Sequence, residues 1–302
     1  MKFRFSRMRR GISLLLLLML LPLQGIAETV VTSFYPIWLI TMNLTAGLED
    51  ITVRNMAAPD TGCLHDYQLQ TADMKTLAEA DALLVNGAGM ESFLPEIRSA
   101  FPDLPVITAS EGIPLLENTA SVEIGESESE FNAHLWLDPS RAARMAENLA
   151  AGLISLFPRH EERISANLSD CMDRLQQLDQ SLREGLSGLK RRDIITFHEA
   201  FPYFAEAYGL QVAAVVNREP GETPTASQFA ELIRVVRELD CPPLFVEPQY
   251  EDLSARTLSA ETGAPVYTLD PVVTGPEENV PPDYYETVML RNMETLREAL
   301  SR

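Results

Sequence analysis

Between Pro158 and Lys190 the chain reads PRHEERISANLSDCMDRLQQLDQSLREGLSGLK, and no other stretch limits the fold as tightly. Ile164, Leu168, Met172, Leu175, Leu178, Leu182, Leu186 and Leu189 recur at three- and four-residue steps. That spacing lays one apolar stripe along an α-helix, with Glu, Arg, Gln and Asp on the opposite face. Pro158 suits a helix start, while Gly185 and Gly188 weaken the end. At about 1.5 Å per residue, about 28 helical residues reach about 42 Å, more than one compact α/β lobe needs. The spacing therefore predicts a strut over 158–190 joining a first lobe, 28–157, to a second, 191–302. A long surface helix of a single domain is the plainer alternative.

Both flanks alternate between strand-like and helix-like patterns. Before the strut, strands are expected at Thr29–Ser33, Ile51–Ala57, Ala82–Val85 and Val106–Thr108. Helices are expected at Pro36–Ala46, Thr71–Ala80 with Thr71 as N-cap, and Glu91–Ala100. Asp138 and Pro139 are a good N-cap and first residue for a helix running to Phe157. After the strut, strands are expected at Asp193–Phe197, Gln211–Val216, Leu244–Val246 and Val266–Leu269. The helices between and after them are Glu199–Tyr208, Thr225–Leu239, Asp252–Thr262 and Asp283–Leu300. Such alternation predicts an α/β fold of two four-stranded, mostly parallel lobes, without a close sequence repeat between them.

The N-terminus carries Lys2, Arg4, Arg7, Arg9 and Arg10, then ISLLLLLMLLPL, then Gly25-Ile26-Ala27, the layout of a secretory signal peptide over residues 1–27. Its apolar run is too short for a comfortable membrane span, which needs about 20 residues. The protein is thus expected in the periplasm or elsewhere outside the cytoplasm, acting as a monomer. The chain has 24 Lys and Arg against 44 Asp and Glu, and the leader holds five of the basic residues and no acidic one, so removing it shifts the net charge from −20 to −25. Nucleic acid is excluded as a partner on that balance. Cys63, Cys171 and Cys241 allow at most one internal disulfide.

Three of the four histidines fall where strands hand over to loops. His65 follows the second strand, His134 follows the fourth strand and an acidic loop, and His198 ends the strand DIITF. Asp270 ends the strand VYTL in the same way. Open α/β sheets bind ligands at the carboxyl ends of their strands, so two lobes facing each other would offer three imidazoles and a carboxylate to one cleft. That donor set fits tetrahedral zinc, whereas manganese prefers more oxygen. Glu247, ending the strand LFV, is a competing carboxylate that would either ligate or hold a ligand histidine in place. Cys63, two residues before His65, reads more simply as a disulfide partner or plain thiol than as a ligand. His160, among Arg159, Glu161 and Glu162, reads as structural.

GCLHDYQL around His65, HLWLDP around His134, ITFHEAFPYFAEAYGL around His198, LFVEPQY around Glu247 and YTLDPV around Asp270 together resemble the zinc and manganese solute-binding proteins of ABC uptake systems, the ZnuA and TroA type. The resemblance covers essentially the whole chain after the leader. It implies two α/β lobes joined by a long backbone helix, with the metal in the cleft between them. It also implies His65, His134, His198 and Asp270 as ligands, Zn(II) rather than Mn(II) as cargo because His198 stands where manganese-type members tend to carry glutamate, and an ABC-type membrane permease as partner. No catalysis is implied. Two departures stand out: the loop 117–130 holds glutamates where zinc-type members often place histidines, and the first motif reads Cys-Leu-His where Asp-Pro-His is common. A manganese or iron carrier using Glu247 with Asp270 is the nearest alternative. A secreted zinc hydrolase with Glu247 as base is a weaker one, because four protein ligands leave no position open for water.

Overall fold

The computed structural model describes residues 27–64, 67–118, 131–216, 225–240, 242–250 and 253–301. The leader, most of the acidic loop, His65 and Cys241 lie outside them. Among the described residues no helix is long and apolar enough to cross a membrane.

The first sheet contains β1 (Glu28–Thr32), β2 (Ile51–Asn55), β3 (Ala82–Val85) and β4 (Val106–Thr108), all parallel, in the order β2-β1-β3-β4. Its helices are α1 (Tyr35–Leu44), α2 (Thr71–Ala78), α3 (Leu94–Ala100) and α4 (Pro139–Leu156). The second sheet repeats the arrangement, with β5 (Asp193–Thr196), β6 (Gln211–Val215), β7 (Leu244–Val246) and β8 (Val266–Thr268) in the order β6-β5-β7-β8, again all parallel. Its helices are α6 (Pro202–Tyr208), α7 (Ala226–Glu238), α8 (Leu253–Thr262) and α9 (Tyr284–Leu300). In each sheet the chain leaves the first strand in both directions, so a crevice opens at the carboxyl ends of β1 and β3, and of β5 and β7.

The strut is α5 (Glu161–Leu186), entered through a single 3-10 turn at Pro158–His160. Its buried stripe is Ile164, Cys171, Leu175, Leu178, Leu182 and Leu186. Cys171 takes the place expected for Met172, because the inward face follows the three-four alternation from Leu168 through Cys171 to Leu175. Gly185 lies inside the helix and permits the close approach of Met293 on α9. Asn167 of the strut donates to the carbonyls of Leu44 and Ala46 at 2.9 and 3.0 Å, satisfying the end of α1. Arg174 binds Asn43 of α1 on one side and Glu286 of α9 on the other. The strut thus grips elements from both halves of the chain. His160 is buried between Glu28 and Asp50, as expected of a structural residue.

The lobes share an apolar core. One continuous cluster runs from Val31, Leu84 and Phe34 through Trp136 to Phe201, Phe245 and Leu269. Trp136 is 1 % exposed, packs edge-on against Phe34, and donates from Nε1 to the Pro271 carbonyl at 2.7 Å. Its own carbonyl accepts from Tyr285. The far face of the second sheet has a separate core of Ile195, Ala214, Leu232, Val236, Leu244 and Leu258.

Three helix starts differ from the pattern for definable reasons. Gln70, not Thr71, caps α2, because Asp73 turns back to accept its N–H at 2.7 Å. Helix α3 begins at Leu94 rather than Glu91, since the buried Glu91 carboxylate reaches back to Ser33 Oγ and the N–H groups of Asn86 and Gly87. Helix α6 begins at Pro202 rather than Glu199, whose carbonyl accepts from Asn132 across the lobe boundary.

Candidate metal centre

His198 stands two residues beyond β5 and Glu247 one beyond β7, so both occupy the crevice where the second sheet changes direction. His198 Nδ1 lies 2.8 Å from Glu247 Oε1, and both side chains are almost fully buried. Glu247 Oε2 in turn accepts from Gln249 at 2.6 Å. A carboxylate beside Nδ1 fixes the proton there and turns the Nε2 lone pair outward. The corresponding crevice of the first sheet holds a parallel pair, Ser33 donating to the buried Glu91. Burial pushes the Glu91 carboxyl above its usual range, against the opposing effect of Ser33 and the Asn86 and Gly87 N–H groups.

His134 sits just before the 3-10 turn Leu135–Leu137, and Asn132 holds it twice. Asn132 Oδ1 accepts from the His134 backbone N–H at 3.0 Å and from its Nδ1 at 3.1 Å. Asn132 Nδ2 donates to the Glu199 carbonyl at 2.7 Å, which identifies the amide oxygen independently. Asn132 thereby orients one histidine while gripping the loop that carries the other. Tyr203 reinforces the contact by donating to the Asn132 carbonyl at 2.7 Å. Nothing in the spacing of the sequence signals Asn132, because its role exists only once the lobes meet.

The structure brings His134 of the first lobe against His198 of the second, with ring centroids 4.9 Å apart. Cys63 joins them. Its Sγ is 3.4 Å from His134 Nε2, and one ligand atom from each of Cys63, His134 and His198 lies within 4.8 Å of the other two. Cys63 is reached through Gly62, whose φ of +84° only glycine adopts readily, and a Cβ on Gly62 would lie 2.8 Å from Tyr250 Oη. Burial, followed by the nearby Cys63 and Glu247, holds the Tyr250 phenol above its usual range and so protonated.

Asp270 is at the same rim but is not part of this compact group. Its Oδ1 accepts from Val272 N–H at 2.8 Å, and Asn292 of α9 clamps its backbone through both amide atoms. Burial raises the Asp270 carboxyl above its usual range; the Val272 N–H opposes this and Glu247 adds to it. Val272 itself is a buried β-branched residue at φ 60°, a strained geometry that aims the Pro271 carbonyl at Trp136 and its own N–H at Asp270. His65, two residues beyond Cys63, lies outside the described residues.

A family model described as ZnuA, zinc-uptake complex component A, periplasmic, matches residues 30–299. The chain belongs to this family. Among similar proteins, the zinc-binding protein AdcA of Streptococcus pyogenes is 28% identical over 288 aligned positions, an alignment that covers 89% of this chain and 55% of that protein. The chain therefore spans about half the length of the curated relatives it matches first. The high-affinity zinc uptake system protein ZnuA of Bacillus subtilis is 26% identical over 286 aligned positions, an alignment that covers 90% of this chain and 87% of the relative. A crystal structure of ZnuA superposes with a TM-score of 0.78 at 26% identity, covering 91% of this chain and 100% of the other. Zn(II)-bound AdcA from Streptococcus pneumoniae gives a TM-score of 0.77 at 26% identity over 91% of this chain and 58% of AdcA. The two-lobe, all-parallel α/β architecture is thus that of the ZnuA family.

Proposed function

We propose that this chain captures Zn(II) outside the cytoplasmic membrane and passes it to an ABC-type permease. One observation carries the reading: His134 and His198 come from different lobes, each has Nδ1 tied to an oxygen acceptor, and their rings meet with a ligand atom of each within 4.8 Å of the other and of Cys63 Sγ. Such tethering fixes the tautomer that binds a metal and lowers the ordering cost of ligation. His65, His134, His198 and Asp270 form the ligand set, with Zn(II) preferred to Mn(II) because two or more imidazoles suit the softer ion. Glu247 supports His198 rather than replacing Asp270, and this engagement weighs against an oxygen-rich manganese or iron site. The chain works as a binding protein without chemistry of its own, after a leader over 1–27 directs it outward, and as a monomer of two lobes, 28–157 and 191–302, braced by 158–190. The relatives named above as zinc-binding and zinc-uptake proteins support the choice of ion.

The test is calorimetric titration with Zn(II) and Mn(II) in turn, on the wild type and on His198→Ala. Tight one-to-one zinc binding, weaker manganese binding and a large loss in the variant are expected. Zinc affinity unchanged by His198→Ala would refute the reading.

A further inference from the structure

We infer that Cys63 is itself a metal ligand, giving this cleft a sulfur donor and a preference for thiophilic ions. The inference rests on the reading that the cleft carries a metal and revises the four-ligand set proposed for it, with Cys63 taking the fourth position in place of Asp270, which stands outside the compact group. Its first support is a distance. With zinc–sulfur near 2.3 Å and zinc–nitrogen near 2.05 Å, a tetrahedron has a sulfur–nitrogen edge of about 3.6 Å. Cys63 Sγ and His134 Nε2 are 3.4 Å apart, and the triad with His198 closes within 4.8 Å. One spacing therefore serves a weak S–H···N bond without the ion and a ligand edge with it; on binding, the thiol proton leaves to solvent as Sγ takes the metal.

The second support is how the thiol is delivered. Gly62 adopts positive φ and leaves no room for a side chain against Tyr250, so the chain is bent to bring residue 63 inward under a residue of the opposite lobe. His134 Nδ1 is already committed to Asn132 Oδ1, which leaves Nε2 as the atom facing Cys63. Among the described Cys, His, Asp and Glu residues, these three alone form such a group, and Asp270 and Glu247 stand outside it. A thiolate favours Zn(II), Cd(II) and Co(II) over Mn(II), so Cys63 sets selectivity as well as affinity.

Cobalt(II) serves as the probe, with the purified, reduced protein. Bound Co(II) is expected to show a near-ultraviolet sulfur-to-metal charge-transfer band that is lost in Cys63→Ser, while binding itself survives and zinc loses more affinity than manganese. X-ray absorption of the zinc-loaded wild type, which needs no variant, should show a sulfur scatterer at about 2.3 Å. Stoichiometric cobalt binding without that band, or a band that persists in Cys63→Ser, would overturn Cys63 ligation and leave the zinc-carrier reading standing. If neither cobalt nor zinc binds the wild type, both inferences fall together.

Discussion

Glu247 offers the sharpest test of how the second lobe holds its histidine. Its Oε1 sits 2.8 Å from His198 Nδ1, with both side chains 3% exposed, so the bond is a charge-assisted one shielded from water. Losing the acceptor of a metal-ligating histidine costs about 10- to 100-fold in metal affinity, or about 1.4–2.7 kcal/mol. Glu247→Ala removes the acceptor outright and leaves Nδ1 buried beside a void, so the upper part of that range is expected. Glu247→Gln keeps an amide oxygen that can accept the same proton, so its loss should be about tenfold or less. Competition with a chromophoric zinc chelator reads both values, and thermal unfolding of the metal-free variants checks that each folds. An unchanged affinity in Glu247→Ala would show that His198 needs no support. A glutamine variant as damaged as the alanine variant would mean that the carboxylate binds the metal directly.

Zinc affinity should fall below about pH 6 as the ligand imidazoles take up protons, and a titration flat down to pH 5 would contradict imidazole ligation. Gly152 lies within α4, where glycine to alanine ordinarily gains about 1 kcal/mol, yet an added Cβ would meet three Ile107 side-chain atoms at 2.6–2.8 Å. Packing should win, with Gly152→Ala losing about 1–3 kcal/mol in denaturant unfolding; a more stable variant would refute the contact. Burial pushes the Cys171 thiol up to about 11 from 9.0, so the unfolded chain ionises first. The thiol's contribution is intact below pH 9 and lost as pH rises through 11, at most about 2.7 kcal/mol, and Cys171→Ala should therefore show a shallower alkaline decline than wild type.

Strands flanked on both faces were the most legible part of the chain. Ala82–Val85 and Leu244–Val246 are continuous apolar runs bounded by polar or proline-rich turns, and the structure buries every residue in them. The strut was legible in length but not in phase, because periodicity alone does not separate Cys171 from Met172 when both are apolar neighbours. Helix starts were lost where a side chain abandons its own helix for a distant partner, as Glu91 does for Ser33. The site divides in the same way. His134 and His198 could be placed by the rule that ligands gather at strand ends, whereas Asn132 and the positive φ of Val272 depend on contacts between the two lobes, 67 residues apart for Asn132 with Glu199 and 135 for Trp136 with Pro271. Cys63 was visible as a residue, but only its distance to His134 separates a ligand from an ordinary thiol.

The apolar core that crosses from one lobe to the other has a kinetic meaning. Opening the lobes would expose Trp136, Phe34 and Phe245 and break the bonds from Trp136 to Pro271 and from Asn132 to Glu199 together. Exposing that much buried surface is costly, so a wide-open form is only a minor population. Capture would then be timed by how fast an ion reaches the rim and sheds its water, and an acidic surface speeds that first step most at low ionic strength. Unloading, on the proposed reading, would be set by whatever docks against the rim and strains the loops bearing Cys63, His134 and His198, leaving the braced body behind them unmoved.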